Sequence, residues 1–147
     1  MAAILHISDA ASLGLHAMAV LAGEPDQRVS AHEIASRLNV SESHLAKVLQ
    51  RLVKVELLQS IRGPKGGFRL ARSPDEITLL QIYEAIDGPM KESTCVLDLP
   101  ICERVSCIFG TLLGHIQGRV DEYFSTTKLS KLVLEDGGRA DDAQKHR

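Results

Sequence analysis

The chain has 147 residues, of which 44% are apolar but only 3% aromatic. We therefore expect one domain of packed helices with an aliphatic core, and not an aromatic-rich β-sandwich. No apolar run is long enough to span a membrane, and the amino terminus lacks the pattern of a signal peptide, which favours a cytoplasmic location. The net charge of −2 argues by itself against a nucleic-acid binder.

The charge is unevenly distributed along the chain. Between Arg28 and Arg72 there are nine Lys and Arg and three acids, a net charge of +6. The remainder carries eight basic and sixteen acidic residues, a net charge of −8. A basic segment inside an acidic protein is typical of a local nucleic-acid-binding surface, although a solvated charged face gives the same pattern.

Three helices are predicted in the first third of the chain. Apolar residues at helical spacing place helix one over residues 8–21. Helix two follows Ser30, where Ser30–Glu33 has the spacing of a capping box, and it stops near Asn39. Helix three begins at Ser41, a second favourable cap. The short connection between helices two and three has the length of the turn in a helix-turn-helix.

A β-hairpin is predicted directly after helix three. Residues 56–62 and 68–71 have strand character, and the glycine-rich run Gly63–Gly67 between them favours a flexible tip. A hairpin in this position is the wing of a winged helix-turn-helix. Helix four is then predicted to open at Glu76–Thr78 and to end at Gly88.

A loop and two further helices are predicted in the last third of the chain. A loop of roughly fifteen residues follows Gly88, which is longer than typical connections. A long helix is predicted from Cys107 to about Ser125, then a short one over Thr127–Leu134, and the charged, Gly/Ala-rich end is expected to be disordered.

The predicted fold is mainly α with a small β-hairpin: a winged helix-turn-helix plus a long carboxyl-terminal dimerisation helix. The expected organisation is a DNA-binding domain over residues 1–88, a cysteine-containing sensor loop over 89–107, the dimerisation helix and a terminal short helix over 108–134, and a tail over 135–147. An apolar stripe on the last long helix exceeds what a small winged domain covers, and Gly110, Gly114 and Gly118 would let a second helix approach. The alternative is that this helix packs only on its own domain.

The candidate DNA-reading residues lie on helix three and the wing. Ser hydroxyls can bond bases or phosphates, Lys can pair with guanine acceptors, and a slender basic hairpin tip suits a minor groove. On helix three the candidates are Ser41, Ser43, His44, Lys47, Arg51 and Lys54, of which Arg51 and Lys54 are expected to meet phosphates. On the wing they are Arg62, Lys65 and Arg69.

The residues in these elements resemble the Rrf (BadM-like) family of bacterial regulators, which includes an iron–sulfur cluster regulator, a nitric-oxide-sensing repressor and a cysteine-metabolism repressor. The resemblance runs from about residue 4 to residue 134. It implies a homodimer, paired through the long helix, on a palindrome-like double-stranded operator. It is carried by Val29–Ala35, Leu45–Leu52, Leu57–Ala71, Pro74–Leu79 and Thr127–Leu132.

The chain has three cysteines, Cys95, Cys102 and Cys107, all within thirteen residues. An odd cluster of this kind in a cytosolic protein indicates metal binding or redox chemistry more than disulfides. Zinc usually takes four N/S ligands with paired C-x-x-C spacing, which is missing here. Thiolates are the ligands of iron–sulfur clusters, and thiol-redox sensing is the main alternative.

The family resemblance extends to these cysteines, because members that hold a cluster carry three in the same loop. It implies one 2Fe–2S or 4Fe–4S cluster per subunit, although spacings nearer five and five are more usual than the C-x6-C-x4-C found here. In some members a carboxylate near the amino terminus of the other subunit is the fourth ligand, which points to Asp9, although a helix cap is the alternative role for Asp9. In others a His follows the last Cys by three residues, where this chain has Gly110. His6, His32 and His115 are remote alternatives.

These observations predict a DNA-binding transcription regulator, by family expectation a repressor, whose cluster senses nitric oxide, redox state or iron. We expect no membrane and no small-molecule substrate. A cluster-free regulator controlled by thiols or a partner is the first alternative, and a redox carrier or enzyme the second. The sequence shows no nucleotide-binding glycine loop, no paired catalytic carboxylates and no Ser/His/Asp arrangement, so no enzyme activity is expected.

Overall fold

A computed structural model describes residues 5–91, 95, 107–109 and 111–133; Cys102 and the tail expected over 135–147 lie outside these residues. Five helices, two strands and two 3₁₀ turns are found in the described part, which confirms a mainly α fold with a β-hairpin. None of these helices is long and apolar enough to cross a membrane. In chain order the elements are α1 (Asp9–Gly23), α2 (Ala31–Leu38), α3 (Glu42–Lys54), β1 (Leu58–Ile61), β2 (Gly67–Leu70), a 3₁₀ turn (Pro74–Glu76), α4 (Leu79–Asp87), α5 (Leu112–Thr126) and a second 3₁₀ turn (Leu129–Leu132).

The starts of the first three helices are fixed by serine caps. The hydroxyl of Ser8 accepts from the amide of Ala11 at 3.0 Å, and those of Ser30 and Ser41 accept from the amides three residues on. Each cap satisfies one of the amide groups that a helix start leaves unpaired. Helix α2 ends at Asn39, which takes the left-handed conformation expected of it, with φ 54°.

Two details of helix capping differ from the sequence prediction. The Ser30–Glu33 capping box is only half formed, because the Glu33 carboxylate binds Arg37 at 2.5 Å, one turn further along α2. A complete box is found instead at Thr78 and Gln81. It starts α4 at Leu79, later than predicted, since a 3₁₀ turn occupies the preceding residues.

The predicted wing is confirmed as a two-stranded antiparallel hairpin. Leu58 pairs with Leu70 at its base and Ile61 with Gly67 at its tip. A third segment is attached to it, because the backbone of Val29 exchanges two hydrogen bonds with Phe68, at 2.8 and 3.0 Å. The wing is therefore fixed to the connection between α1 and α2 as well as to α3.

Helix α1 lies at the centre of the core and packs against α2, α3, α4, β2 and the last 3₁₀ turn. Its sequence is apolar nearly all round, as is expected of a helix surrounded by other elements. Helix α3 contributes one buried stripe to this core and leaves its other face exposed. The buried residues of α3 are Leu45, Val48, Leu49 and Leu52.

The carboxyl-terminal helix is shorter than predicted. Helix α5 begins at Leu112, while Cys107–Phe109 is not helical. Gly110 has a low helix propensity, and the cap residue Thr111 makes no side-chain hydrogen bond, so no local signal favours an earlier start. Over Thr127–Leu134 the predicted short helix is the 3₁₀ turn noted above.

The chain then returns to the amino-terminal core. The amide of Leu79 donates to the carbonyl of Thr127 at 3.1 Å, and that of Leu129 donates to the carbonyl of Ile77 at 2.8 Å. The Leu129 side chain is fully buried. This places the last described element in the same core as α1 and α4.

Candidate nucleic-acid interface and cysteine segment

The nine residues predicted to contact DNA are all exposed on α3 and the wing. The amphipathic pattern of α3 brings this about, because the four apolar residues that face the core leave the polar ones on the opposite side. A helix with one exposed polar face, next to a hairpin, has the shape that enters a major groove with its first turns.

The amino-terminal end of α3 holds a small network of polar side chains. The hydroxyls of Ser41 and Ser43 lie 2.9 Å apart, and Ser41 also accepts from the amide of His44. Beside them His32 of α2 approaches the carboxylate of Glu42 at 3.0 Å. The first turn of α3 therefore offers hydroxyls that are held by hydrogen bonds, with the His32 ring of α2 beside them.

Arg51 has a partner that the sequence did not predict. Its Nη1 donates to the backbone carbonyl of Ile86 at 3.2 Å, in the last turn of α4. The last carbonyls of a helix have no partner inside the helix, and a cation placed there is favoured by the helix dipole. Lys47 and Lys54, which lie on the same helix as Arg51, are exposed.

The wing presents three cations, Arg62, Lys65 and Arg69, all exposed. Arg69 is held across the hairpin, because its Nε donates to the amide oxygen of Gln59 at 3.0 Å and the two residues are paired in the strand register. Arg62 and Lys65 lie at the tip. The wing therefore carries positive charge along its length, beside that of α3.

Two acids that precede α3 in the chain are neutralised by one arginine. Arg37 binds Glu24 at 2.7 Å and Glu33 at 2.5 Å, so one basic residue is taken up by two acids. The remaining cations of α3 and the wing give the positive character of this face. This is the local basic surface that the net charge conceals.

The carboxyl-terminal end of α4 joins three other parts of the chain; we call Tyr83, Ile86 and Asp87 the α4 junction. The Asp87 carboxylate accepts from the Ser8 amide at 3.1 Å and from its hydroxyl at 2.5 Å. The Tyr83 hydroxyl donates to the carbonyl of His6 at 3.0 Å, and its ring packs edge-on against Phe124 of α5. Burial, and after it the charge of Asp87, raise the pKa of Tyr83 above its ordinary value of 10.0.

Asp9, the predicted fourth cluster ligand, is exposed in the first turn of α1, and Ser8 caps the helix in its place. Asp9 lines an open cleft of about 380 Å³ beside the helix-turn-helix. The other residues around this cleft are Ser12, Leu13, His16, Leu38, Val40 and His44.

The cysteine thiols are the second candidate site. Cys95 and Cys107 are half-buried, and Cys102 lies outside the described residues. The donor set suits an iron–sulfur cluster chemically, since thiolates are the usual ligands. Within the part of the chain that the structure describes, no three His, Cys, Asp or Glu side chains converge as a metal site.

An apolar face is found on α5. Leu112 and Tyr123 are about half exposed, at 51% and 53%, and Ile108 just before the helix is 87% exposed. An open groove of about 460 Å³ runs along the same helix. It is lined by Leu5, His115, Ile116, Arg119, Val120, Tyr123 and Phe124.

Comparison with known proteins identifies the relatives of this arrangement. Residues 7–135 match the model of a family described as "Rrf2: Iron-dependent Transcriptional regulator". A curated regulator from Aquifex aeolicus is 32% identical over 129 residues, covering 86% of this chain and 90% of that protein. BadM from Rhodopseudomonas palustris is 51% identical over 69 residues, but the match covers only 47% of this chain and 44% of BadM.

Solved structures give the same picture of the fold. The structure of CymR, described as the global cysteine regulator of B. subtilis, has a TM-score of 0.74 and 30% sequence identity, and the match covers 87% of this chain and 95% of CymR. Relatives named IscR, from Aliivibrio salmonicida, and NsrR, from Halalkalibacterium halodurans, are each 28% identical to the chain. The matched proteins named here are transcriptional regulators and not enzymes.

Proposed function

This chain belongs to the Rrf2 family of transcriptional regulators, and we propose that it binds a specific operator in double-stranded DNA as a homodimer under the control of its cysteines. In this proposal the first turns of α3 read base edges in the major groove, and the basic wing lies along the neighbouring minor groove.

The observation that carries the proposal is the exposure of all nine candidate residues on two adjacent elements. Lys47 and His44 face outward near the start of α3, where a recognition helix contacts bases. Arg62 and Lys65 extend the positive surface to the wing tip, in reach of the next phosphates. Arg69 is already held by Gln59, which limits the ordering required when DNA binds.

The proposed dimer is supported by the apolar face of α5. A helix whose Leu112 is half exposed within one chain gains from a second helix that covers it. A Cβ added at Gly114 or Gly118 would meet no atom of the described residues within 4 Å, so a second side of α5, away from Leu112, is also open. Two winged domains in a symmetric pair would contact half-sites about one DNA turn apart.

For control of DNA binding, we propose that Cys95, Cys102 and Cys107 hold an iron–sulfur cluster, 2Fe–2S or 4Fe–4S, with Asp9 of the second subunit as the fourth ligand. The donor chemistry and the relatives named IscR and NsrR support this assignment. Cluster bonds, when present, would fix the segment between α4 and α5 and respond to nitric oxide, oxidation or loss of iron.

A cluster-free regulator controlled by thiol oxidation is the second candidate. It is supported by the likeness to CymR, a cysteine regulator. A related CymR structure from Staphylococcus aureus, 26% identical to the chain, is described as an oxidised form. In this alternative the same three thiols act as the reactive groups, and no metal is involved.

The test is anaerobic purification, followed by visible absorption and analysis of iron and sulfide per chain. The operator is obtained by selecting duplexes from a random pool, and its affinity is measured before and after nitric oxide or peroxide. Single Cys→Ser variants at the three positions are compared with the unchanged chain. Asp9→Asn separates the proposed ligand from a helix cap, because Ser8 retains the cap.

The cluster would be supported if the unchanged chain is coloured and contains iron and sulfide, and if each Cys→Ser variant loses both the colour and these elements. A colourless protein whose DNA binding responds to peroxide would overturn the cluster and support the thiol alternative. If the loaded and cluster-free forms bound the operator equally, control by the cluster would be excluded. Selection of no preferred duplex would contradict the proposed DNA-binding function itself.

A further inference from the structure

We propose that Arg51 is a positioning residue for DNA reading, which fixes the recognition helix α3 to the α4 junction. The proposal rests on the proposed DNA-binding function and specifies how its reading helix is held. It differs from the role that the sequence suggested for Arg51, a contact with a phosphate.

The first step of the argument is the Arg51 contact itself. Arg51 lies in the last turn of α3, and its Nη1 donates to the carbonyl of Ile86 at 3.2 Å. These two residues are 35 positions apart, so the bond joins two helices and not neighbours in one turn. A guanidinium that reaches across to a helix end restrains both the distance and the rotation of its own helix.

The second step is that the acceptor is itself held. Asp87, the next residue after Ile86, binds the amide and hydroxyl of Ser8, at 3.1 and 2.5 Å. One turn earlier Tyr83 donates to the carbonyl of His6. The carboxyl end of α4 is thus bound to the start of α1, so the carbonyl that receives Arg51 is a fixed point.

The third step concerns what else holds α3. Its buried face is aliphatic, namely Leu45, Val48, Leu49 and Leu52. Close aliphatic packing holds α3 against the core, and a directed hydrogen bond at one end of the helix adds a restraint on its rotation. A recognition helix must place its first turns within a fraction of an ångström of base edges. The Arg51 bond, at the opposite end of α3 from Ser41, provides that directional restraint.

The experiment compares Arg51→Met with Lys54→Met in the full chain. Both changes remove one cation from the last turn of α3 and keep an unbranched stem. The probes are the duplex selected by the unchanged chain and a scrambled duplex of the same composition. Affinities for both are measured from about 50 to about 200 mM salt. Each phosphate contact contributes about −0.9 to the slope of log affinity against log salt concentration.

For Arg51→Met we expect about tenfold weaker binding to the selected duplex, the effect of one lost charge-assisted hydrogen bond, with little change for the scrambled duplex. The salt slope should stay close to that of the unchanged chain. For Lys54→Met, affinity for both duplexes should fall alike, and the magnitude of the salt slope should decrease by about 1. If Arg51 had a purely structural role, Arg51→Met would lower thermal stability and leave the ratio of the affinities for the selected and scrambled duplexes unchanged.

If Arg51→Met weakened binding to both duplexes equally and decreased the magnitude of the salt slope by about 1, Arg51 would be a phosphate contact and the proposal would be overturned. An unchanged ratio of affinities would also overturn it. If Arg51→Met does not fold, Arg51→Lys is used, which keeps the charge but not the reach of the guanidinium. A lower ratio of selected to scrambled affinity for Arg51→Lys, at an unchanged salt slope, then supports the positioning role. An unchanged ratio overturns the proposal. If the unchanged chain prefers no duplex, the DNA-binding function fails instead.

Discussion

Helices α1 and α5 are each 15 residues long, yet their surroundings are opposite. Nine residues of α1 are buried, and Ser8 caps its start. In α5 the buried residues are Leu113 and Phe124, its start has no side-chain cap, and Leu112 is half exposed. The helix-turn-helix and wing are therefore complete within one chain, whereas α5 presents apolar surface that the described part of the chain leaves exposed.

The contrast shows what an apolar stripe can and cannot indicate. Periodicity predicts that a helix will bury one face, but it does not state whether the covering surface comes from the same chain. In α3 the stripe is covered internally, with Leu49 fully buried. In α5 the described residues cover Leu113 and Phe124 but leave Leu112 half exposed. Substitutions at Leu49 and Leu112 test this contrast directly. Substitutions at Gly67 and Tyr83 test how the internally covered part of the chain is held together.

The largest difference is expected between Leu49→Ala and Leu112→Ala. Removing the buried Leu49 side chain from α3 should cost about 2–5 kcal/mol in free energy of unfolding. Leu112→Ala should cost less than about 0.5 kcal/mol, because its side chain is already half exposed. Urea unfolding is measured at a concentration where sedimentation shows monomers. At higher concentration Leu112→Ala should weaken association, while comparable unfolding costs for the two variants would contradict the contrast.

A smaller effect is expected at the wing, where Gly67 approaches the first connection. A Cβ at Gly67, which has φ 157°, would lie 2.6 Å from the carbonyl oxygen of Val29. Gly67→Ala should therefore strain the Val29–Phe68 pairing and cost about 1–3 kcal/mol. Gly63→Ala is the matched control, because its φ is 112° but no atom lies within 4 Å of the added Cβ. Thermal unfolding should rank Gly67→Ala as the more damaging change, and the reverse order would show that the wing is not fixed at Val29.

The smallest effect is expected for Tyr83→Phe, which removes the hydrogen bond to His6 and should cost about 1 kcal/mol at neutral pH. Because the folded pKa of Tyr83 is raised, the unfolded chain loses this proton first as pH increases. The stabilisation is thus fully present below pH 10.0 and is lost as the pH rises through the folded pKa.

Thermal unfolding of the unchanged chain, Tyr83→Phe and the control Tyr123→Phe is compared from neutral to strongly alkaline pH. Tyr123 is 53% exposed, so its loss should leave the pH profile as it was. The difference in unfolding temperature between the unchanged chain and Tyr83→Phe should narrow above pH 10.0. A gap that stays constant across this range would contradict the burial of the Tyr83 hydroxyl.

Local features of the fold were predictable from the sequence. The serine caps at Ser30 and Ser41, the left-handed Asn39 and the glycine-rich wing each depend on a few neighbouring residues. The exposure of the DNA-reading face followed from the periodicity of α3 in the same way.

Features that depend on distant pairs were not predictable. The contact of Arg51 with Ile86 spans 35 positions and that of Ser8 with Asp87 spans 79, and neither leaves a local pattern. The early start predicted for α5 was wrong, because apolar periodicity continues into Cys107–Phe109 although these residues are not helical. The arrangement of the cysteines likewise depends on contacts beyond their spacing.

The return of the chain at Leu129 has a consequence for how the molecule is made. Leu129 is fully buried, and its amide binds Ile77, while the turn around it packs against α1. During synthesis the chain emerges amino terminus first, so a nascent chain of which only the wing has left the ribosome still lacks this part of its core. We therefore expect nascent chains to become protease-resistant only after residue 132 has left the exit tunnel. A regulator built in this way would not bind its operator before Leu129 has joined the core.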